Sequence, residues 1–310
     1  RRYLSSVFAV VYFSMRNLIV LFLKGAAMGA ANVIPGVSGG TVAFISGIYE
    51  RLIKALKSFD LQIVKLLFKG RFSELRKKTD LLFLLILFAG IGLSVLSLAG
   101  VLEHAFEYYE RLTLAFFFGL ILASIIGVGR QISEFHLGIV VAFVVGFLVA
   151  LLLAFLTPAT ANDHWLYILL CGIVAISSMI LPGLSGSYVL LLMGNYVLML
   201  QAIVDLNVKI LIPFGLGCIL GLAIFSRVLS YLFDHFKNAT ISLLTGFVAG
   251  SLLIIWPWKT TNYLMINEKQ KAIGYDWNLP VIDQEFFIAI GLMAVGFLIV
   301  YGIDKLGRAK

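Results

Sequence analysis

The chain has 310 residues, of which 61% are hydrophobic and only 13% are charged, and its mean hydropathy is +1.03. Soluble domains contain about 45–50% apolar and about 25% charged residues, so this composition excludes an ordinary soluble protein and predicts a membrane protein. The net charge of +8 is unevenly distributed, and we expect no nucleic acid partner. The two cysteines, Cys171 and Cys218, lie in apolar runs and have neither a disulfide framework nor metal-site spacing.

The chain is predicted to be an all-α polytopic membrane protein. Mixed apolar and polar positions at 1–16 predict an interfacial helix. A first repeat over 17–156 and a second over 157–310 each begin with two apolar arms around a break. The arms are 17–34 and 41–56 in the first re-entrant pair (17–56), and 166–181 and 188–203 in the second (166–203). Six further apolar runs near the roughly 20-residue spanning length predict transmembrane helices at about 81–101, 112–129, 137–156, 209–229, 239–256 and 285–303.

The two repeats align residue by residue. At an offset of 147, Gly25, Pro35, Gly36, Ser38, Gly39, Gly47 and Tyr49 fall on Gly172, Pro182, Gly183, Ser185, Gly186, Gly194 and Tyr196. Further matches follow at an offset of 127, beginning with Gly90 and Gly217, and at an offset of 150, over 145–148 and 295–298. Collinear matches in three blocks predict two copies of one unit.

The distribution of Lys and Arg predicts the orientation in the membrane. Residues 57–80 read as a basic amphipathic helix that binds anionic headgroups, and cytoplasmic loops carry the basic excess. If each break dips into the membrane and returns, the basic clusters and both termini are cytoplasmic, and the loop 257–284 lies outside. Each repeat then crosses three times, so the repeats are inverted. Inverted repeats with broken helices are typical of secondary transporters.

Two Pro-Gly motifs, at 32–41 and 179–188, form the breaks. Proline lacks an N–H and disfavours helix at the residue before it, while glycine admits close approach to its backbone. Unwound backbone at membrane depth is tolerated where protein or a cavity satisfies it, so the paired breaks are a candidate binding site. Helix N-termini starting near Ser38 and Ser185 would direct amides and hydroxyls at an anion, most simply a phosphate. Alternatively, each Pro-Gly only turns a hairpin.

The candidate substrate-binding residues fall into two groups. Glu50 and Arg51 close the second arm, and Arg130 and Arg227 end cytoplasmic spans where they could hold a lipid phosphate. As alternatives, Glu50 pairs with Lys54, Arg51 snorkels, and the other arginines only set topology. No metal or cofactor is expected. The candidates at the breaks are Asn32 (which could line the site or cap the first arm), Pro35, Gly36, Ser38, Gly39, Gly40, Thr41, Pro182, Gly183, Ser185, Gly186 and Ser187.

The stretch from Gly25 to Leu52 resembles the signature of the bacterial polyprenyl-phosphate transporter family, and Leu181 to Tyr188 resembles its second signature. The resemblance spans essentially the whole chain. It implies a transporter, not an enzyme, that recycles undecaprenyl phosphate, the carrier lipid of cell-envelope synthesis, from the outer to the inner leaflet of the cytoplasmic membrane. The second copy has Ser187 in place of Gly40 and lacks the Glu-Arg pair.

Two other classes of function stay open. Integral polyprenyl-pyrophosphate phosphatases also use inverted repeats and a related Pro-Gly-x-Ser turn, but their turn continues with Arg where this chain has Gly39 and Gly186. Phosphoryl transfer also needs charge stabilisation and a nucleophile with a base or a metal. A small-anion channel or exchanger is the third class, since glycine-rich helix ends also hold halide. No oligomeric state is predicted.

Overall fold

The computed structural model describes residues 2–33, 38–59, 63, 70, 78–266 and 269–308. Helices dominate both halves of the chain, as predicted. The first half contains α1 (Arg2–Val33), α2 (Gly39–Ile45), α3 (Tyr49–Lys57), α4 (Leu81–Gly129) and α5 (Leu137–Phe155). The second half contains α6 (Trp165–Ile180), α7 (Gly186–Leu192), α8 (Tyr196–Val204), α9 (Val208–His235), α10 (Lys237–Ser251), β1 (Lys259–Ile266), β2 (Lys269–Trp277) and α11 (Gln284–Arg308).

The described residues include five helical segments long and apolar enough to cross a membrane, and the bent pair α7–α8 would make a sixth. This confirms a multi-pass helical membrane protein. The predicted span 239–256 is too long, because α10 has 15 residues and gives way to turns after Ser251. The five segments are Leu81–Leu98, His104–Gly129, Leu137–Phe155, Val208–His235 and Gln284–Gly302.

The predicted link between the spans 81–101 and 112–129 is helical, with a kink at Tyr109 (φ −138°, ψ 39°). The hydroxyl of Thr113 donates to the carbonyl of Ala105 at 3.1 Å. Residues eight apart in a straight helix are separated by about 12 Å, so α4 bends sharply here. Phe236, 127 positions later, has nearly the same dihedral angles (φ −134°, ψ 46°) at the corner between α9 and α10. The kink and the corner are therefore equivalent features of the two halves.

The predicted second arms, 41–56 and 188–203, are not single helices. Each is a helix of seven residues, a turn and a helix of nine residues. The turns contain Gly47 (φ +72°) and Gly194 (φ +77°), and a left-handed glycine ends a helix. In the second half, α7 and α8 meet at 111°. The corresponding elements in the two halves have the same lengths and lie 147 positions apart.

Glycines bring equivalent helices into close contact in the two halves. A Cβ added to Gly25 of α1 would lie 2.3 Å from the carbonyl oxygen of Leu87 in α4. A Cβ added to Gly172 of α6 would lie 2.3 Å from the carbonyl oxygen of Phe214 in α9. Small residues that allow helix backbones to approach are typical of membrane helix interfaces. The first part of α4 therefore packs on α1 as α9 packs on α6.

The last span of each half packs on the other half. A Cβ on Gly119 of α4 would lie 1.9 Å from the carbonyl oxygen of Met293 in α11. A Cβ on Gly246 of α10 would lie 2.1 Å from the carbonyl oxygen of Phe143 in α5. Helix α11 therefore packs on the second part of α4, and α5 packs on α10. This reciprocal exchange interlocks the two halves.

The prediction of an all-α fold is wrong in the segment 257–284. Strands β1 and β2 form an antiparallel hairpin there, with an irregularity between Asn262 and Tyr263. The indole of Trp277 anchors it by donating to the carbonyl of Leu253 at 2.9 Å and contacting the Phe155 ring at 4.8 Å. The hairpin has no counterpart between α4 and α5.

One predicted boundary is absent from the structure, and two predictions fall wholly or largely on residues that the structure does not describe. The helix predicted at 1–16 is continuous with the first arm in α1. Pro35 and Gly36 lie outside the described residues. The basic helix predicted at 57–80 lies largely outside them as well, apart from 57–59, Ile63, Gly70 and 78–80.

Candidate functional site

The two breaks contact each other although 142 positions separate the atoms involved. The amide of Gly183 in the second break donates to the hydroxyl of Thr41 in α2 at 2.7 Å, and both groups are buried. The hydroxyl of Tyr49 donates to the carbonyl of Ile180 at 3.1 Å. A Cβ on Gly40 would lie 2.7 Å from that same carbonyl oxygen. The first half of the chain therefore holds the second break on both sides.

At the first break, nearby side chains of the same half accept hydrogen bonds from the backbone amides at the start of α2. The side-chain oxygen of Asn32 accepts from the amide of Gly39 at 2.8 Å, and the hydroxyl of Ser38 accepts from the amide of Gly40 at 3.1 Å. Ser38 and Thr41 are buried. The prediction that these amides are free for an anion is therefore wrong at the first break. Asn32 is exposed and caps α2 rather than the end of its own helix, and its place in the lining of the site stays a prediction.

The second break has different chemistry at the same positions. Ser185 precedes α7 but makes no side-chain capping bond, and its hydroxyl lies 3.0 Å from that of Ser187. Ser185 and Gly186 are half-buried and Ser187 is exposed. Met179 stands where the first half has Asn32, so this break lacks the amide cap. Among the residues described at the two helix starts, Ser185, Gly186 and Ser187 are thus more accessible than their equivalents Ser38, Gly39 and Gly40.

Gly183 shapes the second break and Pro182 is buried beside it. The φ of Gly183 is +84°, in the left-handed region that favours glycine. A Cβ there would lie 2.8 Å from the carbonyl oxygen of Phe247 in α10. The backbone geometry and the close helix both require glycine at this position.

Glu50 and Arg51 lie away from the breaks, on α3. Glu50 accepts from Lys54 at 2.8 Å and from Lys237 of α10 at 2.9 Å. The hydrogen bond from Lys54 is the largest cause that lowers the pKa of Glu50, and Lys237 lowers that pKa further. The pairing with Lys54 was anticipated; the cross-half pairing with Lys237 was not.

Arg51 contributes to an open cavity of about 620 Å³. Its guanidinium binds the carboxylate of Asp80 at 2.6 Å and lies 4.4 Å from the centre of the Phe83 ring. Three cationic and two anionic side chains line the cavity, so an incoming anion would have to compete with carboxylates. The lining residues are Gly47, Glu50, Arg51, Lys54, Ala55, Lys78 and Asp80.

Arg130 follows the end of α4 and Arg227 lies within α9, and neither has a contact with the breaks among those described. The Arg130 guanidinium lies 5.8 Å from the centre of the Tyr301 ring in α11. The Arg227 guanidinium donates to the carbonyl of Ala223 in its own helix at 2.6 Å. These contacts do not bring either arginine to the site predicted at the breaks.

Two polar residues that organise the site were missed from the sequence. Tyr49 is buried and bonds across the halves, and its match with Tyr196 in the repeat alignment was the available signal. Lys24 of α1 donates to the carbonyl of Ser46 at the end of α2 at 2.6 Å. A lone lysine in an apolar arm is itself an indication of a specific partner.

Comparison with known proteins identifies the family. A family model described as VCA0040-like, undecaprenyl phosphate translocase-like, matches residues 28–273. The chain belongs to the undecaprenyl phosphate translocase-like family. A relative in Vibrio cholerae named polyprenyl-phosphate transporter is 35% identical over 298 residues, covering 93% of this chain and 97% of the relative. A Staphylococcus aureus protein of the same name is 32% identical over 262 residues, covering 78% of this chain and 88% of the relative.

The family description and the relatives' names are those of transporters, which confirms that this translocase-like protein is not an enzyme. No solved structure matches the chain. The resemblance of its two signatures to the polyprenyl-phosphate transporters is confirmed by the family match.

Proposed function

We propose that this protein moves a polyprenyl phosphate, with undecaprenyl phosphate as the expected lipid, across the bacterial cytoplasmic membrane for carrier-lipid recycling. The phosphate binds at the paired breaks while the apolar tail stays in lipid, and alternating access exposes the site to each leaflet in turn. The observation that carries the proposal is the hydrogen bond between Gly183 and Thr41, which joins the breaks in a chain whose relatives are named for this transport.

The breaks have different tasks in this proposal. The first break is capped by its own side chains and braces the second through Thr41 and Tyr49. The second break supplies the hydroxyls of Ser185 and Ser187 and the uncapped start of α7. Hydroxyls and backbone amides at a helix start are suitable donors for phosphate oxygens. The binding of the headgroup would therefore be asymmetric although the backbone is duplicated.

The cavity at Arg51 supports a second step, in which the headgroup passes to the cytoplasmic leaflet. Arg51 is more than half exposed, and its planar guanidinium can bind phosphate in place of Asp80. Arg130 and Arg227 remain predicted release residues, and their contacts with Tyr301 and Ala223 do not favour that role.

In this proposal the two repeats have inverted orientations in the membrane, and both termini are in the cytoplasm. Segments predicted on the cytoplasmic side contact one another, as in the pairs Glu50–Lys237 and Ser133–Asn238. Segments predicted outside do so too, as Arg111 bonds Glu285 at 2.7 Å. The equivalent dihedral angles and glycine contacts of the two halves further support a duplicated unit.

The proposal is tested with unilamellar vesicles that contain a polyprenyl phosphate and the purified protein. A membrane-impermeant phosphatase added outside releases inorganic phosphate only from the outer leaflet. Protein-free vesicles should release the share of the outer leaflet and then stop, whereas vesicles with the protein should continue towards complete release. A plateau identical to that of protein-free vesicles contradicts the proposed transport.

A pair of variants tests the second break itself, one within it and one matched control outside it. Ser185→Ala combined with Ser187→Ala removes both hydroxyls and is expected to slow release by more than tenfold. Ser133→Ala, which removes a hydroxyl bonded to Asn238 in an exposed position, should leave it unchanged. Equal rates for the double variant and this control would remove the second break from the mechanism.

A further inference from the structure

Helices α3 and α8 are equivalent in sequence position but not in packing. Helix α3 packs on α9 of the other half, where the rings of Tyr49 and Phe233 lie 5.9 Å apart. Helix α8 packs on α7 and α9 of its own half. Ile53 on α3 is fully buried, whereas its equivalent on α8, Leu200, is only half-buried. Of the two equivalent helices, therefore, α3 is docked on the other half and α8 is not.

Polar contacts fix the docked side. Lys237 at the start of α10 donates to Glu50 at 2.9 Å, and Lys54 lies 3.4 Å from Asp234 at the end of α9. Lys57 donates to the hydroxyl of Ser230 at 2.9 Å. We name these three contacts between α3 and the α9–α10 corner the latch.

The latch has no ionic equivalent in the second half. The positions that match Glu50, Lys54 and Lys57 in α8 are Val197, Gln201 and Val204. Neither a carboxylate nor an ammonium group is available there, so α8 has no side chain that could form the same ion pairs. Docking of α8 on the equivalent surface of the first half would therefore be apolar.

The surface that α8 would dock on is identified by the same equivalence. Leu229 and Phe233 of α9 are buried, at 3% and 5% exposure. Their equivalents in α4, Leu102 and Phe106, are only half-buried. The first part of α4 therefore presents the partly uncovered counterpart of the surface that α3 covers on α9.

We infer that this structure is one of two states that are related by an exchange of packing between the halves. In this state the latch holds α3 on α9 of the other half, and α8 is not docked on the other half. In the other state α3 leaves α9, and α8 docks on α4 near Leu102 and Phe106. A protein with two equivalent halves reaches the second state when the halves exchange their packing. This inference deepens the proposed alternating access and rests on it, but it does not depend on which lipid is transported.

The inference is tested by electron–electron distance measurement on spin-labelled protein in nanodiscs without added substrate. The background carries Cys171→Ala and Cys218→Ala. One pair of labels, Phe59→Cys with Tyr231→Cys, reports the latch side. The equivalent pair, Leu206→Cys with His104→Cys, reports the other side; all four positions are exposed. The unaltered latch should give a predominantly short distance for the first pair and a long one for the second.

Glu50→Gln with Asp234→Asn removes the carboxylates of the latch. Because exposed ion pairs are individually weak but act here together, the ratio of the two states should change by about tenfold. The first pair should lengthen and the second shorten in the same fraction of molecules. Lys237→Gln is a milder variant. It should also lengthen the first distance and shorten the second, but in a smaller fraction of molecules.

Arg51→Gln is the matched control, because it breaks an exposed ion pair of α3 with Asp80 within the same half. It should leave both distance distributions unchanged. The inference is overturned if the latch variants leave both pairs unchanged, or if the first pair lengthens while the second does not shorten. No substrate is present, so such a failure is distinguishable from a failure of phosphate transport, which the vesicle assay measures independently.

Discussion

The helix pairs α2–α3 and α7–α8 share a backbone geometry and differ in side-chain chemistry. Both have helices of seven and nine residues, a preceding serine and a left-handed glycine in the turn. Asn32 and Thr41 at the first break correspond to Met179 and Tyr188 at the second. The matching helix lengths and turns therefore set where the chain breaks in each pair, while the differing side chains determine which helix start is capped.

The largest expected effect tests whether the two halves depend on the same packing. Gly119→Ala and Gly246→Ala each introduce a Cβ within 2.1 Å of a backbone oxygen on the opposing helix. Overpacking of this kind costs about 1–3 kcal/mol or more, so both variants should lower the thermal unfolding midpoint in detergent by similar amounts.

Gly92→Ala and Gly215→Ala are the controls for this pair, since an added Cβ at either position meets nothing within 4 Å. They should keep the unfolding midpoint of the unaltered protein. A loss confined to Gly119→Ala or to Gly246→Ala would contradict equivalent packing in the two halves.

The next effect concerns the contact between the breaks. Thr41→Val removes the acceptor of the buried Gly183 amide, and an unsatisfied buried donor costs about 1–3 kcal/mol. We expect lower thermal stability together with slower lipid transport in vesicles. Thr41→Ser keeps the hydroxyl and should retain most of both. If Thr41→Val and Thr41→Ser behave alike, the hydroxyl does not join the breaks.

A smaller effect separates the two breaks. Asn32→Ala removes the side chain that caps Gly39 and should destabilise the protein by about 1 kcal/mol, as the loss of other helix caps does. Met179→Ala changes the equivalent position, which has no capping role, and should lower the unfolding midpoint less. An equal or greater loss for Met179→Ala would show that Asn32 is not needed as a cap.

The smallest effect is a predicted absence of pH dependence at Glu50. Its folded pKa lies below the ordinary value because Lys54 and Lys237 stabilise the carboxylate. A lowered folded pKa means that this stabilisation is present above the unfolded pKa of about 4.3 and is lost only as pH falls through the folded pKa. The distance distributions across the latch should therefore be the same at pH 6 and pH 8. A change between these values that Glu50→Gln abolishes would contradict this.

Sequence periodicity and the repeat alignment were sufficient to predict a polytopic helical protein and the positions of both breaks. The turns at Gly47 and Gly194 were missed, although both glycines align, because apolar residues continue on each side. The hairpin was missed because 257–284 was treated as a loop, although Thr260 and Thr261 begin a run with β-branched and aromatic residues.

The chemistry of the site was less predictable than its position. The amides of Gly39 and Gly40 were expected to be free because helix starts leave unpaired donors, but Asn32 and Ser38 are close enough to accept from them. The bond between Thr41 and Gly183 depends on how the two halves pack and has no local sequence signal. The same applies to the pairing of Glu50 with Lys237.

The central claim is that two joined helix breaks hold a lipid phosphate inside the membrane, and that Ser185 and Ser187 of the second break are its hydroxyl donors. Cryo-electron microscopy of the protein in nanodiscs with a polyprenyl phosphate tests it most directly. The account predicts phosphate density within hydrogen-bonding distance of Ser185 and Ser187, with Thr41 still bonded to Gly183. Phosphate density only elsewhere, or breaks that lie apart in the bound state, would contradict it.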